Sequence, residues 1–177
     1  TDFMTSNSTT AGAFLNNSFN MNGRIDEVKI HDRILSQSDL DELAGEHDLR
    51  HHWKLDGDVA DTAGDNDGTN NGVTFESGKI GLAGAFDGAS SVDLGPLDLS
   101  DSSNFTLTSW IWVSSGSTNI QTIFANANGG FSTDGFRFYV NTFNTANGRI
   151  HLETGNGTDG NAAASTTGIV ALDTWHH

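Results

Sequence analysis

The sequence predicts an all-β protein: two antiparallel sheets packed as a sandwich or jelly roll, with one short helix. Three observations predict it. Short apolar runs recur about every ten residues and are broken by Gly, Asn, Ser and Thr. Glycine alone supplies 21 of the 177 residues. Helix-periodic stretches are almost absent. A chain of this length has room for one good core, because a domain of about 150 residues buries roughly two-thirds of the surface of its unfolded chain.

Residues 1–18 are mostly polar, with Phe14 and Leu15 as an adjacent apolar pair, and read as a strand or loop. In "RIDEVKIH", Ile25, Glu27 and Lys29 alternate with Asp26, Val28 and Ile30, so the strand has two partly apolar faces. Ser36 precedes an acidic first turn, and Leu35, Leu40 and Leu43 fit one or two helical turns ending at Gly45. A polar link, "AGEHDLR", leads to a strand start at "HHWKLDG" and then to the loop "DVADTAGDNDGTNNG". Short strands are expected at 73–75, 85–86 and 91–94. "NFTLTSWIWV", "QTIFANA", "GFRFYVN", "GRIHLETG" and "STTGIVAL" then read as five more.

Charge and composition exclude several function classes. Eight Lys and Arg stand against 23 Asp and Glu, a formal charge of -15, which repels nucleic acid and anionic membranes. With no Cys there is no disulfide, zinc–thiolate site or cysteine nucleophile. No apolar run approaches the ~20 residues of a membrane helix, so membrane insertion is not expected. Catalysis is not expected either. A sandwich glycosidase needs two carboxylates on one strand facing one cleft, and the nearest approach, Glu46 and Asp48, falls in the polar link and lacks a second Glu. No Gly-x-Ser-x-Gly or phosphate-binding glycine loop occurs.

Strand alternation assigns a binding face. In "NFTLTSWIWV" Phe105, Leu107 and Ile111 face one way, and Thr106, Thr108, Trp110 and Trp112 the other. Arg137 and Tyr139 oppose Phe136, Phe138 and Val140, while His151 and Glu153 oppose Ile150 and Leu152. If these strands are neighbours in one sheet, Trp112, Arg137, Tyr139, His151 and Glu153 share a face. Aromatic rings beside planar hydrogen-bonding groups suit a sugar ring and its hydroxyls. Trp110 is read as core. The pairs His51–His52 and His176–His177 point to opposite faces of their strands and chelate poorly. The loop 56–67 supplies Asp56, Asp58, Asp61, Asp65 and Asp67 among Gly and Asn, which are oxygen donors of the kind calcium takes, although the spacing is not that of an EF-hand.

Several phrases together resemble the laminin-G-like, concanavalin A-like jelly-roll domains that occur as modules of microbial surface proteins. They are "HHWKLDGDVADTAGDNDG", "GKIGLAGAFDGASSVDLG", "NFTLTSWIWV", "WHH" and "NGRIDEVKIHDRILSQSDLDEL". The resemblance implies a structural calcium between the first loop and the last strand, held by Asp26 with Asp56 or Asp61. It also implies a rotated order, since the "IDEV" strand and helix close the family's domain and stand first here. Residues 1–45 are then the closing strands and helix of a sandwich, belonging to a preceding repeat or completing the main domain. Residues 46–51 are a linker, and 52–177 form a jelly roll short of about two strands. The expected function is an extracellular or cell-surface recognition or adhesion module for a glycan or other surface ligand. The alternative is a structural subunit that assembles into a filament with neighbouring repeats or its own copies by strand exchange.

Overall fold

The computed structural model describes residues 8–14, 18–41, 49–97, 104–127 and 135–177. The chain folds as a two-sheet antiparallel sandwich. One sheet of seven strands runs in the order β12 (Gly160–Ala164), β11 (Ile150–Gly155), β10 (Gly135–Val140), β9 (Gln121–Ala125), β1 (Ser8–Ala11), β7 (Ser91–Pro96) and β4 (Thr69–Asn71). The second, of six strands, runs β13 (Trp175–His176), β8 (Thr106–Val113), β2 (Asn22–His31), β6 (Leu82–Asp87) and β5 (Thr74–Ser77), with β3 (Leu49–Trp53) also paired to β2. Strands β1 and β2 therefore both lie inside the sheets, β1 between β9 and β7, and β2 between β8 and the pair β6 and β3.

Strand β2 resolves the two-faced apolar pattern read from "RIDEVKIH". Its ladder with β8 slips between Asp26 and Lys29, and Glu27 takes φ 52°. An extra residue in one strand reverses the side-chain phase beyond it. Ile25 before the bulge and Val28 and Ile30 after it, of opposite parity in sequence, thus all enter the same core. The bulge also marks a change of partner: Asn22–Ile25 pair with β6, and Val28–His31 with β3.

The core joins these residues to Trp53, Val92, Leu94, Ile111, Val113 and Phe124. Trp53 is fully buried, and its indole N–H donates to Asn66 O at 2.9 Å, so its one polar atom is satisfied. Where β1 leaves its sheet, Gly12 takes φ 83°, and a Cβ there would strike the Phe86 ring. The helix α1 (Gln37–Asp41) starts in a capping box: Asp39 N–H donates to Ser36 Oγ at 3.3 Å and Ser36 N–H to Asp39 Oδ2 at 2.7 Å. Leu43 and Gly45, the expected end of the helix, lie outside the described residues, as does Leu15.

Two local expectations are corrected. "STTGIVAL" is turns rather than a strand; Gly168 turns the chain at φ 78°, and Gly168 N–H and Val170 N–H donate to Asn147 O and Gly148 O. The strand comes earlier as β12, whose Gly, Asn and Ala have little strand preference but complete the ladder of β11. Likewise β4 falls inside the expected loop, where Thr69–Asn71 pair with Asp93–Ser91 of β7.

Ile25→Ala is expected to lower stability by about 2–5 kcal/mol in denaturant titration, as a cavity in the central strand requires. The exposed Ile34→Ala should change it by no more than about 0.5 kcal/mol.

Candidate functional site

The residues expected to share one binding face divide between two. Arg137, Tyr139, His151 and Glu153 do come together, on the outer face of the seven-stranded sheet, because β10 and β11 pair with Arg137 opposite Glu153 and Tyr139 opposite His151. There Arg137, Tyr139 and Glu153 satisfy one another, while the buried Nε2 of His151 has no hydrogen-bond partner. Arg137 Nη2 pairs with Glu153 Oε2, and Tyr139 O–H donates to Glu153 Oε1 at 2.7 Å. The His151 ring stacks on Tyr139 at 4.9 Å, and Phe14 covers the group, its ring 5.0 Å from the Arg137 guanidinium and 5.9 Å from Tyr139. Burial and the bond to Glu153 push the Tyr139 hydroxyl well above its ordinary range, and burial pushes the His151 imidazole down. This is a closed network with little left to offer a ligand.

Trp112 lies on the other sheet, because β8 pairs with β2 and not with β10. Ile111 and Val113 enter the core, so Trp110 and Trp112 both point outward and are half-buried; Trp110 is not core. Arg24, opposite Trp112 on β2, lays its guanidinium 4.7 Å from the Trp112 ring centre and donates to Glu76 Oε2 from Nη2 at 2.9 Å and from Nε at 3.2 Å. Trp175 of β13 is the opposite neighbour of Trp112. An open groove of about 210 Å³ runs beside Trp112, with Asn22, Arg24, Thr74, Glu76 and Asp87 among its walls. Beside it Lys79 Nζ sits 4.8 Å from the Trp110 ring centre, and His177 packs on the same ring at 4.9 Å.

The expected metal ligands also divide. Asp26 faces the hairpin between β5 and β6, where its Oδ2 accepts Lys79 N–H at 2.8 Å and Ile80 N–H at 3.0 Å. Asp56 Oδ1 accepts Leu82 N–H from the same hairpin at 2.6 Å. A Cβ on Gly78 would strike Asp26, and one on Gly81 would strike Asp56, so the hairpin can close on both carboxylates only with glycine at those positions. Asp26 is fully buried and its Oδ1 has no partner. Burial pushes its carboxyl up to about 6 against the two backbone hydrogen bonds, with Glu27 and Asp56 adding to the rise. Asp61 has a different task. It accepts His52 N–H and Gly64 N–H at 2.9 Å each and pairs with His51 Nδ1 at 2.6 Å; these bonds outweigh the opposing effect of burial and bring it to about 2. Among the described residues no three carboxylates or imidazoles are grouped to hold a metal.

A family model of the laminin G type, described as the concanavalin A-like lectin/glucanases superfamily, matches residues 86–177, just over half of the chain. The chain belongs to this family. No characterised protein and no solved structure matches it. In this laminin G-like domain the matched stretch holds Trp112 and the Arg137 network, whereas Asp26, Asp56, Arg24, Glu76 and Lys79 lie before it.

Arg24, Glu76 and Lys79 were not singled out in the sequence. The signal for Arg24 was present, since it stands two residues before Asp26 on one strand face. Glu76 and Lys79 join the site only through the pairing of β5 with β6 and of β6 with β2.

Two outcomes follow from these environments. Arg137→Ala is expected to cost about 3 kcal/mol of stability in denaturant titration, because the ion pair is only 12% and 14% exposed and Glu153 would keep its charge without its partner. The raised Asp26 carboxyl means that the folded state holds a proton which the unfolded chain releases, so its contribution to stability falls as pH rises from about 4 to about 6. In calcium-free thermal melts Asp26→Asn, which keeps an acceptor for the hairpin, should therefore gain on the wild type between pH 4.5 and pH 7. The imidazoles of His52, His151 and His177, all pushed down, are present in both proteins and largely cancel in the difference.

Proposed function

We propose that this laminin G-like domain is a non-catalytic extracellular recognition module that binds a glycan on the outer face of its six-stranded sheet, in the groove beside Trp112. Domains of this family are generally binding modules, and the observation that carries the site is the groove itself. It joins an aromatic ring to a guanidinium and two carboxylates, the groups that take the apolar face and the hydroxyls of a sugar. The Arg137 network is the weaker candidate, since Arg137, Tyr139 and Glu153 are spent on one another under the cover of Phe14. Among the described residues no helix is long and apolar enough to cross a membrane.

Calcium fits this reading at Asp26 and Asp56. The unpartnered, buried Asp26 Oδ1 is an open acceptor, and Asp56 lies close enough to raise the Asp26 carboxyl. A cation there would take its remaining ligands from backbone carbonyls and water, as calcium readily does, and would draw the two carboxylates together under the hairpin. Asp61, occupied by His51 and backbone N–H groups, is left out of this site.

A second reading, assembly by strand exchange, is favoured by one observation: between the sheets, beside Thr106–Ser109 of β8, a cleft of about 270 Å³ is lined by Leu107, Ile111, Ile123, Phe138 and Ile150. In either reading residues 1–45 complete the sandwich of residues 52–177, an assignment that the central positions of β1 and β2 support.

A glycan array probed with the wild type and Trp112→Ala tests the first reading, with binding by the former and a loss of about tenfold or more in the latter expected. Undiminished binding by Trp112→Ala, at an unchanged melting temperature, would remove the groove. Millimolar calcium should raise the melting temperature of the wild type and leave Asp26→Asn unmoved. Light scattering across a concentration series separates the readings, since growth of large species favours strand exchange.

A further inference from the structure

The basic residues of this acidic chain are few, and most are paired. Arg24 is bound to Glu76, Arg33 to Asp39, Arg50 to Asp32 and Arg137 to Glu153. Lys29 lies 3.9 Å from Glu27. Three cations form no ion pair among the described residues: Lys54, Arg149, whose Nε donates to Ser165 O at 2.8 Å, and Lys79. Of these, Lys79 is the exposed one laid over a tryptophan beside the Trp112 groove. In a chain with 23 acidic residues, its place over a ring and not against a carboxylate needs a physical cause.

Its backbone supplies part of that cause. Lys79 N–H and Ile80 N–H are fixed to Asp26, and Leu82 N–H to Asp56, so the hairpin tip is tied down from below on both sides of Gly81. The side chain is then laid across Trp110, where the ring quadrupole attracts the ammonium without neutralising it. Trp110 and Trp112 are successive outward residues of β8, about 7 Å apart along the strand, a distance on the scale of one sugar unit. Lys79 is thereby a pre-positioned positive charge one step along the same face from the Trp112 groove.

Resting on the glycan reading above, we propose that Lys79, positioned by Trp110, is a subsite for the carboxylate of an acidic sugar, and that the ligand is a uronate-containing oligosaccharide with a neighbouring unit in the Trp112 groove. The two ends of the site are matched to different chemistry. At the Trp112 end Arg24 is neutralised by Glu76, which leaves hydrogen bonding to hydroxyls. At the Trp110 end the charge is open, and a carboxylate supplies the counter-ion that the protein withholds. Because backbone and ammonium are already held, little conformational freedom is lost on binding.

The test uses tetramers of α-1,4-galacturonate and β-1,4-mannuronate, each free and as its methyl ester, titrated calorimetrically at one calcium concentration. The ester keeps the rings and removes the charge. The wild type should bind at least one free tetramer about tenfold more tightly than its ester, the scale of one charge-assisted contact. Lys79→Met, which keeps the aliphatic stem over Trp110, should abolish that preference and leave the ester affinity unchanged, while Trp112→Ala weakens both forms. Trp110→Leu should reduce the preference, since it removes the platform and not the charge. Equal affinity of free and esterified tetramers, with Trp112→Ala still weakening both, overturns the acidic subsite and leaves the groove standing. Preference retained by Lys79→Met overturns it as well. Absence of binding by every tetramer also overturns it; the array then decides separately whether the groove binds other glycans.

Discussion

The bulge at Asp26 and Glu27 in β2 is the constraint on which the rest of the structure depends. Strand β2 runs through the middle of the six-stranded sheet, with β8 along one side and β6, then β3, along the other. Without the extra residue its apolar side chains would split between the core and the solvent, because parity alternates strictly along a strand. With it, Ile25, Val28 and Ile30 all reach the core, while Arg24, Asp26 and Lys29 keep to the outer face opposite Trp112, Trp110 and Thr108. One irregularity both closes the hydrophobic interior and builds the candidate site. The strain falls nearby: Glu27 in β2 at φ 52° and buried Leu55, two residues past the end of β3, at φ 61° are both left-handed, and Glu27 N–H donates to Lys54 O beside Leu55.

The bulge also sets the electrostatics above it. Asp26 is turned under the hairpin between β5 and β6, where losing water costs its carboxylate more than two backbone hydrogen bonds return, and its pKa rises. Asp61, also a buried aspartate, shows the opposite balance. Several N–H groups and an imidazole converge on it, and it remains ionised far below neutral pH. Burial acts in one direction on both residues; the number of donors decides the sign. Asp61 is thus a local turn organiser, and Asp26 keeps an unused acceptor atom.

The two outer faces of the sandwich carry similar residue types with different consequences. On the seven-stranded sheet an arginine, a tyrosine and a glutamate lie on adjacent paired strands within bonding distance of each other, and Phe14 closes over them. On the six-stranded sheet Arg24 is likewise stacked on a ring and paired with a glutamate, but that pair is more open to solvent, and Lys79 over Trp110 has no ion-pair partner among the described residues. A stack on an aromatic ring orients a cation while leaving its hydrogen-bonding capacity for a third party. That difference in exposure and pairing, more than any difference in composition, separates a closed structural network from the candidate binding face.

The sequence by itself determined the all-β sandwich, the position of most strands, the capped helix at Ser36, and the outward direction of Trp112. These are local properties, set by alternation, turn residues and a cap, all readable within about ten residues. It also carried the family phrases, although the match covers only residues 86–177. Tertiary structure alone decided which strands are neighbours. The separation of Trp112 from Arg137, Tyr139, His151 and Glu153, the division of Asp26 and Asp56 from Asp61, and the arrival of Lys79 over Trp110 all follow from ladders between strands distant in sequence. The phase of β2 was hidden for a related reason: a bulge is fixed by which partner each half of a strand meets, and alternation along one strand does not encode the order of strands beside it.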